Sequence, residues 1–304
     1  MRVVLAVDGS EWSDCARDLV ASLNWPAGSA IRAVAAVEPI PEPVGVPWPG
    51  VAAIDMGVIE ASARAELTRM LEATVGALRT QGREVDSALV QGRPSDAIVK
   101  VAANFEADLV VLGSRGQSTL ETVLLGSVAA EVVDRAACPV LVARRPAIRR
   151  VLVADDGSPC AAAAARLVGA WPMLQGLPAH VVSVATLPAT WSAGLMMAAD
   201  ATVADPLGAL QADLRAAHER IAAEAAGRLR AAGCDASASV REGAPAAEIL
   251  RAAREHEADL IVVGSRGLTG LARLLLGSVA RSVVLHAHTS VLVVRAGVHC
   301  PVDA

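Results

Sequence analysis

Two stretches of the chain place glycines and a serine at the same spacing, in the pattern G-x-x-G-x9-G-S. The residues concerned are Gly113, Gly116, Gly126 and Ser127 in the first half and Gly264, Gly267, Gly277 and Ser278 in the second. Glycines let backbone N–H groups approach an oxygen closely, and a helix beginning after the last glycine would direct its unpaired N–H groups at the same point. The pattern therefore favours a polyphosphate-binding site.

A plainer interpretation of these glycines is that they only form turns and helix ends in an α/β fold. Because the whole spacing occurs twice, we favour the phosphate loop. Arg115 and Arg266 stand within the first glycine pair of each copy, where they could bind phosphate or remain solvated loop charges.

An aspartate follows an apolar run in each half, and Gly-Ser comes directly after it. These residues are Asp8 and Asp156. If the apolar runs are strands of a parallel sheet, both aspartates lie at the edge where such sheets bind ligands. A carboxylate there could accept hydrogen bonds from ribose hydroxyls, and N-capping of the next helix is the alternative role.

The sequence lacks the common catalytic motifs G-x-x-x-x-G-K-[ST], G-x-G-x-x-G, H-E-x-x-H and G-x-S-x-G. All six histidines lie in the second half, so the two glycine patterns share no histidine that could act as a base. We therefore assign no catalytic residue and no protein metal ligand, and we expect very slow hydrolysis at most.

The glycine patterns belong to a longer internal repeat. ADLVVLGSRG at 107–116 recurs as ADLIVVGSRG 151 residues later, and LLGSVA at 124–129 recurs with the same separation. Near the start of each half the separation between matching residues is 148, which aligns Asp8 with Asp156. The chain is thus a tandem duplication, with a boundary in the proline- and arginine-containing segment 143–150 that gives domains 1–145 and 146–304.

Each half alternates short apolar runs with longer amphipathic stretches. In the first half we predict strands at Val3–Asp8, Ile31–Val37, Glu84–Val90, Asp108–Gly113 and Val140–Ala143. The longest helix is predicted over Val58–Gln81, with Gly82 as its left-handed C-cap and Gly233 as the counterpart in the second half. Strict alternation predicts an α/β fold with a parallel sheet covered by helices on both faces.

Composition excludes several classes of protein. The chain has 304 residues, 27 Lys+Arg and 32 Asp+Glu, and this acidic balance disfavours nucleic-acid and anionic-membrane partners. The longest span without charged residues, 167–199, is broken by prolines and glycines, so no membrane helix is predicted. Five scattered cysteines indicate no disulfide framework, and the start of the chain does not resemble a signal peptide. A cytoplasmic location is therefore expected.

The duplicated motif resembles that of the universal stress protein family, and the resemblance covers nearly all of both halves. It implies two tandem Rossmann-like domains, each a five-stranded parallel sheet in the order 3-2-1-4-5. It also implies ATP with Mg²⁺ on its phosphates at each site, Asp8 and Asp156 near the ribose, and Val37 and Val184 against the adenine. One departure is Asp155, which adds a negative charge where the first half has Val7.

The function implied is that of an ATP-binding stress-response regulator that acts as a nucleotide-dependent conformational switch on an unknown protein partner. The alternatives are a slow ATPase or adenylyl-transferring enzyme, and a structural module with one or both sites empty. The loops at 38–57 and 187–206 could form a lid or a partner surface. Apolar edge strands at Val140–Val142 and Val291–Val294 are expected to pair antiparallel into an internal pseudo-dimer, and a homodimer of the whole chain stays open.

Overall fold

The computed structural model describes residues 1–39, 56–79, 84–116, 125–186, 201–267 and 276–295. The chain divides into two compact units, the first made of Met1–Ser22 and Pro26–Pro146 and the second containing Ala147–Ala304. The predicted C-cap Gly82 and most of the two loops predicted as a lid or partner surface lie outside the described residues.

The first unit alternates strands and helices from its first residues onward. Its elements are β1 (Arg2–Ala6), α1 (Glu11–Ser22), β2 (Ala30–Val37), α2 (Met56–Arg79), β3 (Glu84–Gln91), α3 (Pro94–Asn104), β4 (Leu109–Gly113), α4 (Ser127–Arg135) and β5 (Val140–Ala143).

The second unit repeats the same succession. Its elements are β6 (Val151–Ala154), α5 (Pro159–Ala170), β7 (Ala179–Ala185), α6 (Ala201–Ala231), β8 (Ala236–Glu242), α7 (Pro245–Glu255), β9 (Leu260–Gly264), α8 (Ser278–His286) and β10 (Ser290–Val294).

All strand pairs within each unit are parallel. In the first unit β1 pairs with β2 and β4, β2 pairs with β3, and β4 pairs with β5. In the second unit β6 pairs with β7 and β9, β7 with β8, and β9 with β10. The predicted α/β fold and the strand order 3-2-1-4-5 are thus confirmed, and the order reverses beside the central strands β1 and β6.

Short β-branched runs form these strands because both of their faces are buried. Val3, Val4 and Leu5 of β1 have no solvent exposure, and the middle of β9 is equally buried. Helices cover the sheet through apolar stripes such as Leu71 and Leu78 of α2, as the helical spacing predicts. The core therefore lies between sheet and helices, and the carboxyl ends of the strands are left to form a site.

The C-terminus of α6 shows why a glycine follows the longest helix. Gly233 has a φ of +88°, which a residue with a side chain rarely adopts. The N–H of Cys234 donates to the carbonyl of Leu229 at 3.0 Å, which closes the last turn. The predicted C-cap at Gly233 is confirmed. Among the helices that the structure describes, none is long and apolar enough to cross a membrane.

Candidate functional site

A cavity of about 400 Å³ opens at the carboxyl ends of the strands of the first unit. Six residues predicted from the glycine pattern and its aspartate line it: Asp8, Gly113, Arg115, Gly116, Gly126 and Ser127. They come from the ends of β1 and β4 and from the start of α4, which neighbouring parallel strands bring to one edge. The structure therefore brings these six predicted residues together.

Asp8 and Gly116 lie against each other across the mouth of this site. A Cβ built on Gly116 would lie 2.7 Å from Oδ2 of Asp8. The other carboxylate oxygen, Oδ1, accepts the N–H of Ser10 at 3.0 Å. The absence of a side chain at Gly116 thus leaves room for an oriented carboxylate.

The second unit repeats this arrangement. A Cβ on Gly267 would lie 2.5 Å from Oδ2 of Asp156, and the Oδ1 of Asp156 accepts the N–H of Ser158 at 3.0 Å. Two copies with the same contacts show that the local geometry belongs to the repeated motif rather than to one loop.

N-capping of the following helices is carried out by serines. The hydroxyl of Ser10 accepts the N–H of Ser13 at 3.1 Å, and that of Ser158 accepts the N–H of Ala161 at 3.2 Å. Because these serines cap α1 and α5, Asp8 and Asp156 are not the N-capping residues of the two helices.

The same two serines connect the aspartate turns to the glycine loops. Ser10 Oγ donates to the carbonyl of Arg115 at 3.5 Å, and Ser158 Oγ donates to the carbonyl of Arg266 at 3.1 Å. Each hydroxyl therefore holds a loop from β4 or β9 beside the end of the central strand.

The first glycine of each pattern serves packing, a role that the phosphate interpretation did not include. A Cβ on Gly113 would lie 2.6 Å from the carbonyl carbon of Trp12, and one on Gly264 would lie 2.7 Å from that of Cys160. These glycines let α1 and α5 approach the ends of β4 and β9. Gly113 still lines the cavity, but the helix backbone alone explains why no Cβ is tolerated there.

The third glycine of each pattern begins a helix. Gly126 is the N-cap of α4 and Gly277 that of α8, and among the described residues no side chain caps either helix. The N–H groups of the glycines donate to the carbonyls of Ser114 and Ser265 at 2.7 and 2.8 Å. The N–H groups available to a ligand are therefore those of the following residues, which start with Ser127 and Ser278, both exposed.

The guanidinium of Arg115 lies 4.1 Å from the centre of the Trp12 ring, so it is held by a cation–π contact rather than freely solvated. Arg144, which directly follows β5, adds a second positive charge near Arg115. Burial and the nearby Arg115 lower the pKa of the Arg144 guanidinium to about 10. Arg266, the counterpart of Arg115, is half-buried in the second unit.

Among the polar residues that line the first cavity and that the sequence did not single out, Arg93, Ser95 and Glu131 form a connected group. The Glu131 carboxylate accepts from the Ser95 hydroxyl at 2.5 Å and pairs with Arg93 at 3.2 Å. The repeat contains a signal for them, because their counterparts 151 residues later are Ala244, Ala246 and Ser282. The two charges and the Ser95 hydroxyl have no equivalent at these positions of the second unit, which marks a difference between the two sites.

The end of β2 requires a correction. Val37 does not line the cavity; its neighbours Ala36 and Glu38 do, because successive side chains of a strand point to opposite faces. The carbonyl of Val37 accepts the N–H of Gly92 at 2.9 Å, which joins it to the end of β3.

Val184 is not the counterpart of Val37. Val3 pairs with Ile31, and Val151 pairs with Ala179, so β2 and β7 align at a separation of 148 residues. Val184 therefore matches Ala36, and Ala185 matches Val37. The two residues predicted to lie against the adenine are therefore one position out of register with each other, which places them on opposite faces of their strands.

Asp155, the departure from the first half, is buried with 3% of its surface exposed. Its Oδ1 accepts the N–H of Gly157 at 2.8 Å. Burial raises the pKa of its carboxyl group, and the adjacent Asp156 raises it further. The second site thus contains a carboxyl group that its surroundings hold toward the neutral form.

The sequence profile of the Universal stress protein family matches residues 1–144 and, a second time, 147–295. The chain belongs to the universal stress protein family. A universal stress protein of Mycobacterium tuberculosis is 32% identical over 244 residues, 76% of this chain and 75% of that protein. One from Mycolicibacterium smegmatis is 28% identical over 306 residues, 96% of each chain.

A solved universal stress protein from Archaeoglobus fulgidus has the same fold. Its TM-score is 0.65 at 23% identity, with 97% of this chain and 98% of that chain covered. Membership of the family and the tandem α/β fold thus rest on the sequence and the structure together.

Proposed function

We propose that this universal stress protein binds ATP at two sites and acts as a nucleotide-dependent conformational switch in a stress response. The observation that carries the proposal is the repeated contact of an oriented aspartate with a glycine beside a helix N-terminus. Asp8 and Gly116 form it in the first unit, and Asp156 and Gly267 form it in the second.

The arrangement of groups in the first site supports ATP as the ligand. Asp8 would accept hydrogen bonds from the ribose hydroxyls, while Gly116 and the start of α4 at Ser127 would face the phosphates. Arg115 would add positive charge. The cavity wall at Val7 and Ala36 is apolar and suits one face of a base.

Mg²⁺ is part of the proposal as an ion bound through the phosphates. Within the described ranges, no group of three or more His, Cys, Asp and Glu could hold a metal ion. The donor set therefore suits an ion whose ligands come mainly from phosphate oxygens and water. When bound, it would offset the negative charge of the triphosphate.

The switch would act through the segments that meet the ligand. Nucleotide binding would fix the positions of the glycine loops, which Ser10 and Ser158 connect to the ends of the central strands. A partner that prefers one arrangement would then respond to nucleotide occupancy. The partner is a protein of unknown identity, and a cytoplasmic location belongs to the same proposal.

The direct experiment is mass spectrometry of small molecules released by denaturing the purified protein, followed by calorimetric titration of stripped protein with Mg²⁺-ATP. We expect a co-purified adenine nucleotide and saturable binding to the stripped protein. If no nucleotide is released and titration at high protein concentration gives no heat, the proposed function is wrong.

A further inference from the structure

Two apolar residues that line the first cavity, Val7 and Leu67, and a third in the neighbouring strand, Ala35, have titratable or hydrogen-bonding counterparts in the second unit. The strand registers match Ala35 with Ser183, and the Asp-Gly-Ser turns match Val7 with Asp155. The helices align through Arg79 and Arg230, whose guanidinium groups donate to the carbonyls of Val85 and Ala236. This alignment, at a separation of 151 residues, matches Leu67 with His218.

The position of these replacements relates them to the ligand. Val7 and Leu67 both line the first cavity, so Asp155 and His218 stand at the corresponding places in the second unit. The predicted ribose-binding Asp156 is adjacent to Asp155 in the chain and acts electrostatically on His218. A change of protonation here therefore occurs beside the proposed ligand.

Ser183 links the other two residues. Its hydroxyl, which is fully buried, donates to the backbone carbonyl of Asp155 at 2.5 Å and lies 2.8 Å from Nδ1 of His218. Because a serine hydroxyl has only one proton, Nδ1 of His218 must be the donor in the second contact. The neutral imidazole then has its unprotonated nitrogen at Nε2, which is the atom that would take up a proton.

The surroundings shift the pKa values of His218 and Asp155 in the directions that favour their uncharged forms. Burial lowers the pKa of His218, while the negative charge of Asp156 opposes that shift. Burial raises the pKa of Asp155; Asp156 and Glu224 raise it further, and the N–H of Gly157 and Arg228 lower it. Oδ2 of Asp155 is buried without a hydrogen-bond partner among the described residues.

We propose that the second site binds its anionic nucleotide together with a proton, and that the first site does not. The inference rests on the proposed function, because it takes the second site to bind a nucleotide. In the arrangement proposed above, the base would lie at the place of Asp155 and the ribose at Asp156, so the negative charge of the phosphates would act on Asp155 and His218 across the ribose, with Arg266 as the glycine-loop charge. Protonation of His218 adds a positive charge and protonation of Asp155 removes a negative one, so either event strengthens anion binding.

The direction of the pH dependence follows from linkage. If the liganded state holds more protons than the free state, affinity rises as pH falls, and one linked proton changes it by about tenfold per pH unit at most. The first unit has Val7, Ala35 and Leu67 at these positions and lacks this source of proton uptake. Protonation of the phosphates themselves is common to both sites and cancels in their comparison.

The test uses proteins with one working site each. Gly126→Leu leaves the second site and Gly277→Leu leaves the first, and each is titrated with Mg²⁺-ATP at pH 6 and pH 8. Titrations in two buffers of different ionisation enthalpy count the protons taken up on binding. We expect the second site to gain about tenfold more affinity than the first on going to pH 6, and to take up more protons on binding than the first.

The matched control installs the residues of the first unit in the second, as Asp155→Val, Ser183→Ala and His218→Leu together. In the Gly126→Leu background this triple substitution should reduce the pH dependence of binding to that of the first site. The quantity compared is the slope of the logarithm of affinity against pH. His218→Leu alone tests the same point with less change to the fold. Equal slopes and equal proton counts at both unmodified sites would overturn the inference, whereas absence of nucleotide binding at every pH would overturn the proposed function instead.

Discussion

The carboxylate of Asp8 occupies the space that a side chain at Gly116 would need: a Cβ there would lie 2.7 Å from Oδ2. The carboxylate is also anchored by the N–H of Ser10. Since the same contact joins Asp156 and Gly267, the pairing of a strand-end aspartate with a loop glycine is the conserved geometric unit within this duplicated chain.

Replacing Gly116 by alanine should therefore damage ligand binding more than folding. Only the tip of the Asp8 side chain has to move, so the free energy of unfolding should change by less than about 1 kcal/mol. Displacing the carboxylate from the ribose should weaken nucleotide binding at the first site by about tenfold or more. Urea unfolding measures the stability and calorimetry measures the affinity. Unchanged affinity would show that Gly116 is not part of the binding site.

Alanine at Gly113, in contrast, should reduce the stability of the fold. Here the new Cβ meets the backbone of Trp12 at 2.6 Å, and a backbone cannot move aside cheaply. We expect a loss of about 1–3 kcal/mol in the free energy of unfolding, measured by urea denaturation. Gly76→Ala is the control, because its Cβ would meet nothing within 4 Å in helix α2, and it should leave stability unchanged or raised. Equal effects of the two substitutions would show that close helix packing does not require Gly113.

The sequence predicted the strand order and most of the first site because both follow from strong local signals. Short β-branched runs specify buried strands, and the ends of parallel strands meet at one edge. Asp8, Gly116 and Gly126 could therefore be placed together from their motif and its repetition alone. The packing role of Gly113 could not be predicted, because it depends on how closely α1 approaches.

Other parts of the site could be identified only from the strand register and the tertiary contacts of the structure. Val37 and Val184, both expected against the adenine, do not occupy equivalent positions, since a shift of one position exchanges the faces of a strand and composition alone does not fix the register. Glu131 lies on α4 and meets Ser95 from α3, so no local spacing joins them. The Ser183–His218 contact likewise spans a strand and a helix.

A stacked pair of histidines in the second unit should make the stability of the fold depend on pH. The rings of His180 and His256 lie 3.6 Å apart with an angle of 18° between them. Both ring nitrogens of His180 contact hydroxyls, those of Ser237 and Ser239, at 2.8 and 2.7 Å. Burial, with His256 and Arg241 adding to it, lowers the pKa of His180 to about 4.

Because that pKa lies below the value of about 6.5 in an unfolded chain, the unfolded state binds a proton first. The stability that neutral His180 contributes is fully present above pH 6.5 and is lost as pH falls toward 4, by up to about 3 kcal/mol. His180→Gln should show a smaller loss of stability between pH 7.5 and 4.5, measured by urea unfolding. Parallel pH profiles for the two proteins would contradict this assignment.

Hydrolysis of ATP should be slow. The carboxylate of Glu131 is engaged by Ser95 and Arg93, and its counterpart in the second unit is Ser282. Since loss of a general base typically removes about 10²- to 10⁴-fold in rate, we expect phosphate release well below about 1 s⁻¹. The contamination control is the Gly126→Leu/Gly277→Leu double variant. Turnover of several per second that this variant abolishes would favour the enzyme alternative.

The central claim, two independent nucleotide sites built on the glycine-bounded helices α4 and α8, is tested most directly by the stoichiometry of Mg²⁺-ATP binding to stripped protein. A side chain at Gly126 or Gly277 intrudes at one helix N-terminus and leaves the other unchanged, and both glycines have negative φ angles, −73° and −62°, that leucine can adopt. We predict about two nucleotides per chain for the unmodified protein, about one for each single leucine variant and none for the double variant. Stoichiometry that stays the same in all four proteins would contradict the account.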